Sequence, residues 1–455
     1  MIRANRTTRA YLLVTVTLTP LALASEPSTS ASESLSNRVA ELVEGLNADR
    51  AAERRQAEDS LYELAMGPSG SGEAVLNALP PTNDRMPPSV RSGIQRIRRR
   101  VELTLAERAA EATRVTLNAE KMPLAQVLRA VGEQTGNQLA ESSGRNSPRM
   151  LNRVTLRLEN EPFWPAIDKI MDAARTNIYP YGGGSELSVV QREDSQSDRF
   201  GRAAYSGPFR FETLRVVATR GVRTPTEASL DVDIEIAWEP RLQPIALSQP
   251  MDEVRVVAKS GAPLSVRQPE RSIDVEVTPG TQAIEITLPL ILPSRSAVAI
   301  ASLRGKIDAL VPGRQADFRF EAVGATDRPI RQQQGDATVS LERFKRNGPV
   351  WELHMRLKMD QAGDAFASHR GWVFQNLSYL TDADGARIEH AGFETILQSA
   401  NEVGLVYLFD LSDLEALSAA GDPPSDPRRL TWVYRTPVSI VSLPVEYQLG
   451  EVLLP

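Results

Sequence analysis

The sequence predicts a multidomain α+β fold: a helical N-terminal region, a small βαββαββ-type unit, and two all-β, sandwich-like units after it. Three observations carry this. Apolar residues recur at helical spacing through residues 36–112. A strand–Pro–helix pattern is then written twice between residues 114 and 192, with Val115 of the first copy and Val154 of the second 39 positions apart. From residue 209 onward the hydrophobic period falls to two, with Pro, Gly and Asp between the runs. A chain of 455 residues is too long for one ordinary core.

The chain opens MIRANRTTRAYLLVTVTLTPLALASEP. Arg3, Arg6 and Arg9 form a positive start, Tyr11 to Leu21 a short apolar stretch, and Ala22-Leu23-Ala24 a small-residue cleavage pattern. This is the layout of a secretory signal peptide over residues 1–24, which predicts cleavage before Ser25 and an exported mature chain. The apolar stretch is short of the roughly 20 residues that a membrane span requires. No cysteine follows it to carry a lipid anchor, and no other stretch approaches a span. Residues 25–35 (SEPSTSASESL) are polar and of low complexity, which predicts a flexible leader.

A formal net charge of −6 argues against nucleic acid as the main partner, because phosphate binding requires a basic footprint. The absence of cysteine excludes thiolate catalysis, disulfides and cysteine-ligated metal or iron–sulfur sites. With only three histidines, His354, His369 and His390, a histidine-rich metal site is not expected.

In the helical region, Val39, Leu42, Val43 and Leu46 lie at helical spacing. Asn47 and Asp49 then predict a cap, and Ala57, Leu61 and Leu64 continue the inward stripe. GPSGSG (67–72) breaks the chain before a short helix, a Pro-rich loop and a longer helix from Ser89. LVEGLNADRAAERRQAEDSLYEL resembles a HEAT repeat, with two units at most in 36–112, and an ordinary helical hairpin is the alternative reading. Such repeats require three or more stacked units, so the pair must lean on something else. The cluster RIRRR (96–100) reads as the solvated face of a helix whose apolar side holds Val90, Ile94, Ile97 and Val101.

In the repeat, Val115 and Leu117 alternate with polar neighbours. Pro123 is placed near the first helical position, Leu124, Val127, Leu128 and Val131 form one apolar stripe, and Gly136 is placed to end the helix. The second copy answers with Val154, Leu156 and Leu158, then Pro162, then Phe163, Ala166, Ile167 and Ile170. TNIYPYGGGSELSVVQ follows as a hairpin. Gly182–Gly184 is a turn and not a phosphate loop, because no helix start or Lys follows it.

VTLNAEKMPLAQVLRAVGEQTG, RVTLRLENEPFWPAIDKI and NIYPYGGGSELSVV together resemble the short N-terminal domain of secretins and TonB-dependent receptors. The resemblance covers 114–192 and implies a periplasmic docking module that contacts inner-membrane proteins or the regulator of a signalling relay. Two departures stand out: the longer insertion ESSGRNSPRMLN (141–152), and the lack of a counterpart to the outer-membrane barrel that follows in both families. NLSYLTDADGARIE, VGLVYLFDL, YRTPVSIV and EVLLP resemble segments of uncharacterised exported proteins of Gram-negative-type bacteria and imply no activity.

After a polar linker (193–208), SLDVDIEIAW places Leu230, Val232, Ile234, Ile236 and Trp238 on one face and Asp231, Asp233 and Glu235 on the other. The pattern repeats in both β-rich blocks, 206–325 and 336–455, with a boundary expected within 324–336. The strand carboxylates, Asp274, Glu276 and Glu285 among them, read as solvated faces and not as a glycosidase pair set across a cleft. In TDADGARIE, Asp382, Asp384 and Glu389 lack the spacing of a calcium loop, and Asp384-Gly385 reads as a turn. His354 is expected on an exposed polar face, with His369 and His390 in loops, and no G-x-S-x-G is present. No catalytic, cofactor-binding or metal residue is assigned. The expectation is a non-enzymatic scaffold or docking adaptor of the periplasm or cell envelope, binding envelope proteins of a secretion or signalling complex. The alternative is a carbohydrate- or cell-wall-binding protein with Trp372, Phe374 and Tyr379 as a stacking platform. A hydrolase using His369 or His390 ranks below both.

Overall fold

The computed structural model describes residues 28–67, 72–80, 82, 85–109, 111–139, 151–182, 186–224, 228–278, 280–325, 328–360, 369–412 and 429–455. Helices occupy the N-terminal region and antiparallel sheets fill the C-terminal part, an α+β architecture. The expected signal peptide and most of the 141–152 insertion lie outside the described residues.

Four helices come first: α1 (Ser28–Gly45), α2 (Ala51–Met66), α3 (Gly72–Ala78) and α4 (Pro88–Ala109). The leader expected over 25–35 is corrected, since the chain is helical from Ser28. From there to Leu35 no Gly or Pro opposes a helix. Val39, Leu46, Leu61, Ala65, Val75, Ile94, Ile97 and Val101 share one apolar core. The Asn47/Asp49 cap is also corrected. Arg50 is the cap residue of α2, and Arg54 Nη1 reaches back to the carbonyls of Ala48 and Asp49 at 2.7 and 2.8 Å.

The repeat folds as β1 (Arg114–Pro123), α5 (Leu124–Thr135), β2 (Arg153–Pro162) and α6 (Phe163–Ala174), closed by the hairpin β3 (Thr176–Tyr179) and β4 (Ser188–Gln191). Strands β1 and β2 pair antiparallel, with Leu117 opposite Leu158 and Ala119 opposite Leu156. Leu139 adds a parallel bridge to Leu187 beside the hairpin.

The two copies are related by a local two-fold, visible bond by bond at the 39-residue offset. Asn160 N–H donates to Thr116 Oγ1, and Lys121 N–H donates to Thr155 Oγ1, both at 3.0 Å. Arg114 Nη1 donates to the Asn160 carbonyl at 2.9 Å, and Arg153 Nη1 to the Lys121 carbonyl at 2.8 Å. Leu124 N–H donates to Asn152 O and Phe163 N–H to Thr113 O. Lys121 and Asn160 share a left-handed φ of 48° and 50° in the strand irregularities. Each proline precedes its helix by one residue. Gly136 ends α5 at φ 69°, and Arg175 holds the same left-handed position after α6 at φ 52°, where glycine would be unstrained.

Four sheets follow. Sheet I orders Ala283–Leu290, Ala228–Trp238, Phe209–Arg220 and Ala204–Ser206. Sheet II centres on Ala299–Pro312, flanked by Arg255–Ala258, Ala246–Pro250 and, along its length, Ile440–Leu449. Phe211, Ile234 and Leu288 of sheet I share one apolar core with Val256, Leu303, Ile307 and Tyr447 of sheet II. Sheet III orders Gln315–Phe320, Thr431–Pro437, Ser378–Thr381 and Arg387–Glu389. Sheet IV orders Ile330–Gln334, Ala337–Asn347, Val350–Met359, Glu402–Phe409 and Gly392–Gln398. Phe318, Phe320 and Trp432 of sheet III share a second core with Leu353, Met355 and Leu405 of sheet IV.

The strands do not divide at 324–336 as expected. Gln315–Phe320 pairs with Thr431–Pro437 in sheet III, while Ile440–Leu449 and Val452–Leu453 return to Ala299–Pro312 in sheet II. Alternation marks a strand and its buried face but does not encode which distant strand it pairs with.

Candidate functional site

Helix α6 is buried nearly all round. Phe163, Ala166, Ile167 and Ile170 lie in the core of the repeat, while Trp164, Pro165, Asp168 and Met171 are buried as well. Its outer side meets sheet I. Trp164 Nε1 donates to the Pro208 carbonyl at 2.9 Å. Asp168 accepts from Arg199 Nε (2.8 Å), Tyr205 OH (2.8 Å) and Arg210 Nε (2.9 Å), and both the Asp168 and Arg210 side chains are fully buried. Arg210 also faces Glu212 at 2.7 Å and Glu235 at 3.6 Å. Burial pushes the Asp168 carboxyl up, but Arg210 and Arg199 outweigh it and hold Asp168 below the usual carboxylate range.

A second joint centres on Glu239, fully buried after the strand Ala228–Trp238. It accepts from Thr113 N–H and Thr113 Oγ1 (both 2.8 Å), Asn137 Nδ2 (3.0 Å) and Arg241 Nε (2.7 Å). Arg241 N–H returns a bond to Asn137 Oδ1 at 3.0 Å. The start of β1 and the end of α5 are thus tied to sheet I by one carboxylate. Tyr181 OH adds a bond to Glu235 Oε2 at 3.1 Å, and Gln282 N–H one to the Pro180 carbonyl.

Two other surfaces of the repeat, on opposite sides of its core, face solvent. Helix α5 buries Leu124, Val127, Leu128 and Val131 and exposes Gln126, Arg129 and Glu133. The outer face of β1 and β2 exposes Thr116, Asn118, Glu120, Thr155, Arg157 and Glu159. These two polar surfaces are the candidate interaction surfaces.

The strand carboxylates divide: Asp274, Glu276 and Glu285 are exposed as expected, whereas Asp231, Asp233 and Glu235 are covered. Asp233, 7% exposed, accepts from Thr287 Oγ1 and Arg215 Nε, both at 2.7 Å. Asp231 pairs with Arg267, and Glu235 and Glu285 both meet Tyr181. Asp382 Oδ1 accepts from Asp384 N–H and Ala386 N–H at 3.0 and 2.8 Å, closing a turn in which Gly385 has φ 83°. His354, expected to be exposed, is half-buried and bonds Glu352 at 3.0 Å. His390 packs against Tyr407 with ring centroids 4.9 Å apart, and burial lowers its pKa. His369 sits at the start of the short 3₁₀ turn Arg370–Gln375. Trp372, Phe374 and Tyr379 do not form one exposed platform. Trp372 and Phe374 pack on the second core, Phe374 stacks on Phe393 at 5.9 Å, and Arg387 covers Tyr379 at 4.0 Å.

The basic cluster 96–100 is corrected in part. Arg96 and Arg100 pair with Glu58 and Asp59 of α2. Arg98 is buried, as is Glu102 one turn later, and both face the crossing of the two sheet pairs. They line a cleft of about 460 Å³ with Asp336, Asp360 and Ser439. Burial, with Asp336 adding, pushes Glu102 up to about 7 against Arg98 and Arg314. The sequence signal was present: Arg98 and Glu102 are four apart, on a side of α4 that neither the apolar stripe nor the α2 pairs use.

Comparison with protein-family models, curated proteins and solved structures gives no match for this chain. No helix among the described residues is long and apolar enough to cross a membrane.

Proposed function

We propose that the chain is an exported, non-enzymatic scaffold of a bacterial envelope, and that residues 114–192 are its docking module for an envelope protein. The reading joins the signal-peptide layout and the secretin-like pattern to one structural observation. In a nearly two-fold pair of β–α units, α6 is buried against sheet I while its equivalent α5 keeps a polar outer face. The buried joints at Asp168 and Glu239 hold that face at a fixed place on a rigid base. The two sheet pairs, read as sandwiches, supply the base.

Deleting the module is the wrong test, because it would strip partners from Arg210 and Glu239. Surface variants of the full chain test the reading instead: Asn118→Glu with Arg157→Glu on the strand face, and Gln126→Arg with Glu133→Arg on α5. Crosslinking of the tagged chain in its native envelope, followed by mass spectrometry, should return a discrete protein lost with at least one pair. Capture unchanged by both pairs refutes the assignment of the surface.

A further inference from the structure

We propose that the cleft between the two sheet pairs is a binding site for an uncharged saccharide of one or two rings. The cleft holds about 300 Å³, at the lower end of small-ligand pockets, which span roughly 300–1,000 Å³. One wall is the loop Pro240–Ile245 and the turn around Thr281. The other is the 3₁₀ turn Arg370–Gln375, and the floor is Pro312, Gln315 and Pro437, where the chain crosses from one sheet pair to the other.

The chemistry of the lining selects the ligand. None of the described residues that line the cleft is ionisable. Four accessible carboxamides line it, from Gln243, Gln315, Gln375 and Asn376, with the buried Gln282 and one indole, Trp372. Carboxamides offer donor and acceptor on adjacent atoms, which suits vicinal hydroxyls. An indole face suits the C–H side of a pyranose. A charged ligand would meet no counter-charge in the lining itself, which favours an uncharged one.

The site is also pre-organised. Asn376 Nδ2 donates to Tyr434 OH and Thr436 Oγ1, both at 2.9 Å and both on fully buried residues, so its amide is held and its Oδ1 remains to accept. Gln282 Nε2 donates to the Gly280 carbonyl at 3.2 Å. Four prolines (240, 244, 312 and 437) stiffen the walls and present ring C–H surface without N–H groups. Gly371 lies so close to Glu276 of sheet II that a Cβ would strike its carboxylate, and this approach fixes Trp372 beside the cleft. A preformed site loses little on ordering.

The test is calorimetric titration of the full chain with cellobiose and with di-N-acetylchitobiose, and with a proline-rich peptide as comparator. The expected result is saturable binding of at least one disaccharide below about 10 mM, with less than a twofold change between pH 5 and 8 or on adding salt. Trp372→Ala should weaken it about tenfold. Gln375 is exposed, so Gln375→Ala leaves the core intact, and it should weaken binding about threefold; that variant decides if Trp372→Ala disturbs folding. The docking-face variants should bind the sugar normally, which separates this proposal from the docking reading. No saturable disaccharide binding, binding that survives both substitutions, or binding of the peptide alone overturns it.

Discussion

Replacing Asp168 by Ala tests the joint that makes the β–α module part of a rigid body. The substitution removes the acceptor of three bonds at once, from Arg199, Tyr205 and Arg210. Arg210 stays behind, fully buried, with Glu212 at 2.7 Å and Glu235 at 3.6 Å still facing it. Breaking a buried pair from one side costs about 3–5 kcal/mol, and the surviving Glu212 contact places this site near the lower figure. With a urea slope of about 2–3 kcal/mol per molar, the unfolding midpoint should fall by about 1 M. Trp164 and Trp238 lie beside the joint and report it by fluorescence. The pH dependence has a definite sign. Asp168 is held below its ordinary value in the fold, so its contribution is present above the unfolded pKa near 4 and is lost as pH falls through the folded pKa. Asp168→Ala should therefore flatten the acid limb of the stability curve. A midpoint change below about 0.3 M in Asp168→Ala, or an acid limb that keeps its slope in that variant, would refute this account.

Two further outcomes follow from other buried positions. Glu102 rises from an ordinary value of 4.5 to about 7 in the fold, so the protonated fold is favoured below 4.5 and that advantage disappears as pH rises through 7. Glu102→Gln should then match the parent at pH 4 and exceed it at pH 8 by up to about 3 kcal/mol, and thermal melts showing a loss at pH 8 would contradict it. Gly305→Ala puts a methyl into the Tyr447 ring of the returning strand. It should cost about 1–3 kcal/mol by overpacking, read as a lower melting temperature, and Tyr447→Leu in the same chain should relieve part of it.

What could be read in the sequence was local. The 39-residue offset marked both β–α units, the stripe Leu124, Val127, Leu128 and Val131 is buried as its spacing demands, and Gly136 ends its helix in the left-handed region. What could not be read was long-range. Nothing in SLPVEYQLG distinguishes a strand of the last sheets from one that returns to Ala299–Pro312, because both need the same alternation. Carboxylates on strand faces misled for a related reason. Asp233 and Glu235 follow the polar register of an exposed face, and only the tertiary arrival of Arg215, Tyr181 and Arg210 covers them. Arg98 hid in a run of arginines whose other members are solvated or paired across to α2.

One long-range fact was nevertheless within reach of the sequence, through the difference between the two copies. At the 39-residue offset, Ala125 is replaced by Trp164, Gln126 by Pro165 and Arg129 by Asp168. The inward stripe is equally apolar in both copies, so these changes fall on the outer side of the helix. Trp164 and Asp168 are the residues that engage Pro208 and Arg210. The first copy keeps Gln126 and Arg129 there, side chains suited to water or to a polar partner surface. Because the local two-fold makes the two helices geometrically equivalent, the divergence lies in what each outer side is built to meet. One is committed to the chain's own sheet, and the other is left as one of the two surfaces that the docking variants test.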